Sequence, residues 1–418
     1  MTKVLSASRF SLVLAAPLAV LAFAGPPSAA LAAGPPKSVA ATLQRFIDDG
    51  TIAGAVVLVA DKEKVLDLDA IGYSDLATRK RMETTDLFYI ASMTKTFTTV
   101  ALMMLVEEGK VNLDNPVEKY LPEFRGQMVE EQGRPQHLPK HPITVREIMS
   151  HTAALHKGPF AGDSLERLVQ EIARRPLECE PGTQYKYSAG PAVAGRIVEV
   201  VSGIPYTQFL QERILAPLGL KDTTFWPNDA LGARLALTHR LDPATRTLIP
   251  LAHDPLKGTE MPPRVASQMG GSIATAYRNH FGNPAGGLFS TANDIGKFCQ
   301  MLLNDGTFQS RKYLSAASVR EMSGGQTGKL AVGRDEGYGL GCFVQQKAKP
   351  GGPSVGSFGH HGARKTQMWI DPQNQLVMVL MVQCSELTHL QQDDLYSTYR
   401  QQAIGRYGKS ARHETEGR

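Results

Sequence analysis

The chain has 418 residues, of which 42% are hydrophobic, and its 45 lysines and arginines against 40 aspartates and glutamates give a net charge of +5. That bias is too small and too evenly spread to suggest nucleic acid or an anionic membrane surface as the main partner. Four cysteines in so long a chain do not make a disulfide scaffold.

The first 33 residues carry Lys3 and Arg9, then an apolar run from Phe10 to Ala24, then Ala30-Leu31-Ala32-Ala33. This pattern is that of a secretory signal peptide cut near Ala32 or Ala33. The apolar run is broken by Pro17 and is shorter than the roughly 20 residues that a spanning helix needs, so no stable membrane anchor is expected. The leader has no cysteine and no Arg-Arg pair, which argues against lipid anchoring and twin-arginine export. The expectation is an exported protein, periplasmic or secreted. Loss of Lys3 and Arg9 would lower its net charge from +5 to +3. The remaining length exceeds the usual single-core size, which implies two structural lobes.

After a linker at Gly34–Lys37, Ser38 is expected to cap a helix whose apolar positions Val39, Leu43, Phe46 and Ile47 keep helical spacing up to Gly50. Strand-like runs follow at Ala53–Ala60 and Val65–Ile71, joined by a polar turn. Helical signals dominate from Ser92 to about Leu220. Thr144-Val-Arg-Glu147 is a capping box, Pro191 suits the first turn of a helix that stops before Gly203, and another helix runs from Tyr206 toward Leu215. Residues 222–285 are rich in Pro, Gly, Asp and Thr and are expected to be irregular. Thr291-Ala-Asn-Asp294 is read as a second capping box, opening a helix whose apolar side carries Cys299.

Further strands are expected at Tyr338–Gln345, Ser357–His360, Thr366–Ile370 and Leu376–Val382, with a last helix over His389–Tyr407. Cys342 and Cys384 each end a strand-like segment, which leaves a bridge between them open. The implied class is α/β (α+β): an antiparallel sheet flanked by N- and C-terminal helices, with an inserted helical lobe. One domain, 38–407, would comprise an α/β lobe (about 38–85 and 295–407) and a helical lobe (about 86–294). The tail 408–418 is polar and expected to be loose. Connections between the C-terminal strands are too short for helical crossovers, so antiparallel pairing is expected.

Ser92 is the only serine with a lysine three positions later, and positions i and i+3 share one face of a helix. Between Asp86 and Glu107, Lys95 is the only charge in a stretch of Phe, Val, Leu, Met, Ala and Thr. A helix of that composition is buried on most sides. Burial of an unpaired ammonium costs several kcal/mol and lowers its pKa, and a neutral amine beside a hydroxyl is a general base. The competing reading is a lysine that packs its methylenes and leads its charge out to a lobe boundary.

Ile90-Ala-Ser92-Met-Thr-Lys95-Thr-Phe-Thr resembles the S-x-x-K element of serine β-lactamases and penicillin-binding proteins. More closely, the chain resembles the class C β-lactamase-related serine hydrolases, a group that includes esterases and D-amino-acid peptidases. The segments Val106–Asp114, Ile143–Thr152, Pro181–Ser188, Gly286–Thr291, Tyr338–Gly341 and Gly359–Gly362 agree in order, and the resemblance covers about residues 40–385. It implies a β-lactamase/transpeptidase-like fold with Ser92 as nucleophile, Lys95 as its base and Tyr187 sharing proton transfer. Taken alone, a tyrosine just before a helix is a packed aromatic. The family's Tyr-x-Asn is here Tyr187-Ser188-Ala189, and loss of that asparagine weakens a β-lactam reading more than a serine-hydrolase one.

His360-His361-Gly362 matches the family's Lys/His-x-Gly strand. The resemblance implies that Gly362 permits close approach of substrate, that the N–H groups of Ser92 and Ala363 form the oxyanion hole, and that His360 protonates the leaving group or binds a substrate carboxylate. Arg364 is a lesser candidate for the carboxylate.

Gly352-Pro-Ser354-Val-Gly356 fits a G-x-S-x-G pattern, but a nucleophile elbow needs a strand before and a helix after it, and this one sits in a Lys-Pro-Gly-Gly-Pro loop before a strand. His151 is read as a hydrogen-bonded core residue. His137 and His141 flank Pro139 with no third ligand evident, so no metal site is expected, and no cofactor either. Three classes of function remain: hydrolysis of an ester, amide or D-amino-acid peptide through acyl-Ser92, a β-lactamase or penicillin-binding D,D-peptidase, and a ligand-binding relative without turnover. The expected partner is a small-molecule or peptidic substrate.

Overall fold

Gly54–Ala60 is an unbroken run of small and apolar residues, and all seven are buried. Successive side chains of a strand point to opposite faces, so a run like this needs cover on both sides. Val56, Leu58 and Ala60 join a large core that includes Phe97, Phe298 and Leu302, whereas Ala55, Val57 and Val59 join a smaller one with Leu395, Tyr399 and Ala403. The computed structural model that shows this describes residues 38–160, 162–242, 244–245, 247–251, 281–333 and 335–409. The expected signal peptide, much of the 222–285 region and nearly all of the tail lie outside the described residues. Among them, no helix is long and apolar enough to cross a membrane.

Eight strands make one antiparallel sheet. In chain order they are β1 (Gly54–Ala60), β2 (Val65–Asp75), β3 (Lys80–Arg81), β4 (Glu336–Tyr338), β5 (Phe343–Gln345), β6 (Phe358–His361), β7 (Gln367–Asp371) and β8 (Leu376–Met381). Their spatial order is β4-β5-β6-β7-β8-β1-β2-β3, with Val56 of β1 opposite Met381 of β8. The two ends of the sequence therefore meet at the centre of the sheet. Every pairing in it is antiparallel, as the short connections between the C-terminal strands require.

The helix His389–Tyr407 covers one face, opened by a complete capping box at Thr388 and Gln391. The helix Ala292–Leu303 covers the other and stacks Phe298 on Phe97 with ring centroids 3.8 Å apart. Phe97 belongs to the helix Thr94–Glu107, buried continuously from Thr94 to Leu105. A buried helix this rich in threonine needs partners for its hydroxyls. Thr96 donates to the Gly341 carbonyl at 3.0 Å, Thr98 to Pro284 at 2.7 Å and Thr99 to Lys95 at 3.0 Å.

Several expectations are corrected. Tyr338–Gln345 is two strands, not one: the chain turns at Gly341 (φ +64°), where a Cβ would lie 2.0 Å from the Thr99 hydroxyl. The helix at Ser38 begins as a 3-10 turn, Ala40–Leu43, before Gln44–Asp48. Thr144 and Glu147 form the full capping box, but the one at Thr291 is only half made. Thr291 accepts from the Asp294 N–H, while the Asp294 carboxylate turns away to accept from the Asp222 N–H at 2.8 Å and the Thr223 hydroxyl at 3.1 Å. Within 222–251, expected to be irregular, lie a short helix, Asp229–Ala233, and the hairpin His239–Leu241 with Leu248–Pro250. No disulfide forms: all four cysteines are buried free thiols, and Cys342 instead donates to the Met322 carbonyl at 3.3 Å.

Because the Phe97–Phe298 stack ties the Thr94–Glu107 helix to the sheet's covering helix, Phe298→Ala is expected to cost about 3–5 kcal/mol of stability. Thr144→Ala, which removes one cap, should cost about 1 kcal/mol. Denaturant unfolding followed by circular dichroism checks both, and equal losses would show that the stack carries no special weight.

Candidate active site

The helix Thr94–Glu107 is entered through a 3-10 turn, Ala91–Met93. Ala91 has φ +46°, in the left-handed region that costs a residue with a Cβ about 1–2 kcal/mol. This bend sets Ser92 apart from its surroundings: from Asp86 to Leu105 it is the one residue not fully buried. Lys95, one turn on, is 3% exposed. Its Nζ donates to Ser92 Oγ at 3.1 Å and to the Ala285 carbonyl at 2.6 Å. Burial, aided by the charge of Lys157, pushes the Lys95 amine down to about 7.

Lys95 Nζ also lies 4.7 Å from the centre of the Tyr187 ring. Burial raises the Tyr187 phenol above its ordinary range, and the adjacent Ser92 hydroxyl opposes part of that rise. The segment carrying Tyr187 is clamped by His151. The His151 carbonyl accepts from the Lys186 N–H at 2.8 Å, its Nδ1 accepts from the Ser188 N–H at 3.1 Å, and its ring centre is 4.4 Å from that of Tyr187. With Nδ1 accepting, the neutral ring carries its proton on Nε2. Burial and the nearby Lys95 hold the His151 pKa well below its ordinary value.

Ser92, Lys95, Tyr187 and Ala363 line one cavity of about 300 Å³. Ala363 is exposed in the tight turn between β6 and β7, which is closed by the Gly362 N–H donating to Thr366 at 2.8 Å and the Lys365 N–H donating to Gly362 at 3.0 Å. The Ala363 N–H has no acceptor among the described residues. Gly362 does not line the cavity. A Cβ there would lie 2.6 Å from the Ile90 carbonyl and 2.2 Å from the Thr366 hydroxyl, so the glycine lets the turn close onto the backbone that leads into Ser92.

The His360 ring stands behind the cavity and does not line it. It is 1% exposed, with Nδ1 2.8 Å from the His361 carbonyl and Nε2 3.0 Å from the Tyr338 hydroxyl. A carbonyl only accepts, so Nδ1 bears the proton and Nε2 accepts from Tyr338. Burial, then the neighbouring His361 and Lys95, keep its pKa well below the ordinary histidine range. Arg364 is half-buried and absent from the cavity lining.

Sequence reasoning missed Asn283, which lines the cavity and accepts from the Ala285 N–H at 2.9 Å, and Tyr338, the partner of His360. Both adjoin segments that carry the resemblance, at Gly286–Thr291 and Tyr338–Gly341. His151 was rightly placed in the core, but its contact with Tyr187 needs the fold to be seen. Ser354 donates to the Asp371 carboxylate from a loop, and no lysine or histidine bonds to it among the described residues. His137 and His141 face Glu180 and Glu147 at 3.0 and 3.7 Å, and no metal-binding cluster occurs among the described residues.

Comparison with known proteins gives this geometry a context. An uncharacterized protein of Mycobacterium tuberculosis is 32% identical over 385 residues, covering 83% of this chain and 90% of its own. The lovastatin esterase of Penicillium rubens is 30% identical over 382 residues, covering 82% and 91%. The solved structure of EstCE1, a hydrolase with promiscuous acyltransferase activity, superposes with a TM-score of 0.72 at 25% identity, covering 88% of this chain and 97% of that one. The model of the Beta-lactamase family matches residues 39–400, and the chain belongs to that family of serine hydrolases.

Proposed function

We propose that this chain is an exported serine hydrolase that cleaves carboxylic esters through an acyl-enzyme at Ser92. The observation that carries this reading is the Lys95 amine, 3.1 Å from Ser92 Oγ and pushed down to about 7 by burial, so that a large share of it is neutral at physiological pH. A neutral amine takes the Ser92 proton as Oγ bonds to the substrate carbonyl carbon, and the N–H groups of Ser92 and Ala363 receive the resulting oxyanion. Collapse expels the alcohol, which takes a proton from the Lys95 ammonium by way of the Tyr187 phenol. Water then attacks the acyl-Ser92 ester by the same steps in reverse. The raised pKa of Tyr187 supports its part as a phenol that passes a proton on rather than as a standing phenolate. Neutral His360, held by Tyr338, supports the site from behind.

An ester is favoured over a β-lactam by Ala189, which lines the cavity where the lactamases carry an asparagine amide. The esterase and the acyltransferring hydrolase among the similar proteins support the same choice. Export rests on the leader pattern of residues 1–33.

Intact-mass spectrometry after a fluorophosphonate, and after penicillin, is expected to show a single adduct from the first reagent, lost in Ser92→Ala. Failure of wild type to label at Ser92 would sink the hydrolase reading. Penicillin labelling with fast release would restore a β-lactamase, and a long-lived penicillin adduct a D,D-peptidase.

Lys95→Ala should lower kcat for a p-nitrophenyl ester by at least about 100-fold. Protonation removes the base, so kcat/KM should fall as pH drops through about 7 and level off above it. A pH profile flat from 5.5 to 8.5 would refute Lys95 as the group that titrates. His151→Phe keeps a ring but loses the Nδ1 acceptor, and kcat should drop by at least about tenfold, with KM little changed, if the clamp on Tyr187 serves the transition state.

A further inference from the structure

The cavity around Ser92 has an uneven lining. One wall is hydrocarbon, made by Phe160, Leu168, Ile172 and Ala192, none more than 9% exposed, with Ala189 beside them. Leu168 and Ile172 sit four residues apart on the helix Leu165–Ala173 and so present one apolar face. The charged lining residues are Lys95 and Lys157, and no carboxylate lines the cavity among the described residues. Lys157 is exposed, and no ion pair or hydrogen bond engages it among those residues. Glu178, whose N–H donates to Ala154 in the same loop, is already shared by Lys186 and His156, each at 3.0 Å.

This combination selects by chemistry. A substrate ammonium would enter a cavity that offers it a like charge and no counter-ion. A hydrocarbon chain has a wall to lie against, and an anion has one unengaged cation to meet. The resemblance implies that the residue at the Ala189 position meets the acyl-side amide group in the lactamases, and on that reading the hydrocarbon wall beside Ala189 falls on the acyl side of the scissile bond.

We propose, on the basis of the acyl-Ser92 reading, that the acyl donor is an ester of a medium-length aliphatic acid whose far end carries a carboxylate. The chain lies along Leu168, Ile172 and Ala192, and the carboxylate meets Lys157. Ser92 Oγ attacks the ester carbonyl, the alcohol leaves with the proton that Ser92 gave up, and water releases the diacid. The distal carboxylate is unchanged throughout.

The test compares two substrates with the same leaving group and chain length, mono-p-nitrophenyl adipate and p-nitrophenyl hexanoate. Their ratio of kcat/KM cancels any effect of a variant on the Lys95 base. Wild type should favour the adipate monoester at low ionic strength, and added salt should erode the preference. Lys157→Gln should lower the ratio by about 1.5- to fivefold, the range of an exposed ion pair, Lys157→Glu should lower it further, and Lys157→Arg should retain it.

A ratio below one in wild type, or one that Lys157→Gln leaves unchanged, overturns the proposal, while hexanoate turnover and Ser92 labelling keep the hydrolase reading intact. If neither ester is turned over and Ser92 does not label, both fall together. Should the variants fail to fold, the ratio in wild type and its loss in salt still decide.

Discussion

The structure turns on one amine buried with no counter-ion among the described residues. Lys95 sits in the first turn of a helix whose residues from Thr94 to Leu105 are all buried, and its Nζ meets a hydroxyl and a carbonyl rather than a carboxylate. A carboxylate partner would have kept it charged and inert as a base. An apolar setting alone would have cost several kcal/mol, and the two oxygens offset much of that. The helix is buried because Phe97 stacks on the helix that covers the sheet, and because its threonine hydroxyls reach backbone carbonyls of the segments wrapped around it. The lowered pKa of the amine beside Ser92 is thus a consequence of how deeply this helix is packed.

The same burial governs the neighbours. His151 and His360 are both pushed below the histidine range, and Tyr187 and Tyr338 above the phenol range, each chiefly by burial. Around neutral pH these groups are uncharged, so the charge of the site resides in Lys95, which titrates there, and in Lys157 at the exposed edge. Strand alternation completes the separation. His360 of β6 points toward Tyr338 and Tyr187, while His361 turns to the other side, near Tyr396 and Arg400, where burial and that arginine push it down to about 4.

Much of this could be read from residues. The Ser92–Lys95 spacing, the absence of other charge around it and the order of Tyr187, His360 and Gly362 carry both the fold and the expected site. The strand limits came within a residue or two where the apolar run was continuous, as in β1 and β8. They failed at Tyr338–Gln345, where Gly341 turns the chain inside a mostly apolar run, and the close approach of Thr99 that requires a glycine there is a long-range contact. Gly362 was expected to make room for substrate, and it makes room first for the Ile90 backbone. The positive φ of Ala91 left no trace in the residue type. His360 was expected to face the substrate, since its hydrogen bond to Tyr338 joins residues 22 positions apart.

These misses share a cause and divide the site into two parts. The groups around Ser92 are fixed by buried, long-range contacts: Gly362 against Ile90, Lys95 against Ala285, and the Tyr187 segment against His151. Each leaves a residue little freedom to change, since a methyl group at Gly362 already collides with backbone. The apolar wall of the cavity is built differently, from one face of the Leu165–Ala173 helix and a loop whose Lys157, Gly158 and Pro159 are exposed. On the reading proposed above, the exposed residues of that loop would meet substrate without supporting Ser92, so charge there can be exchanged at low cost to the fold, whereas Leu168 and Ile172 also belong to the core. On that same reading, acyl-transfer chemistry and substrate choice would be governed by different parts of the chain, and the Ser92–Lys95 motif reports only on the first.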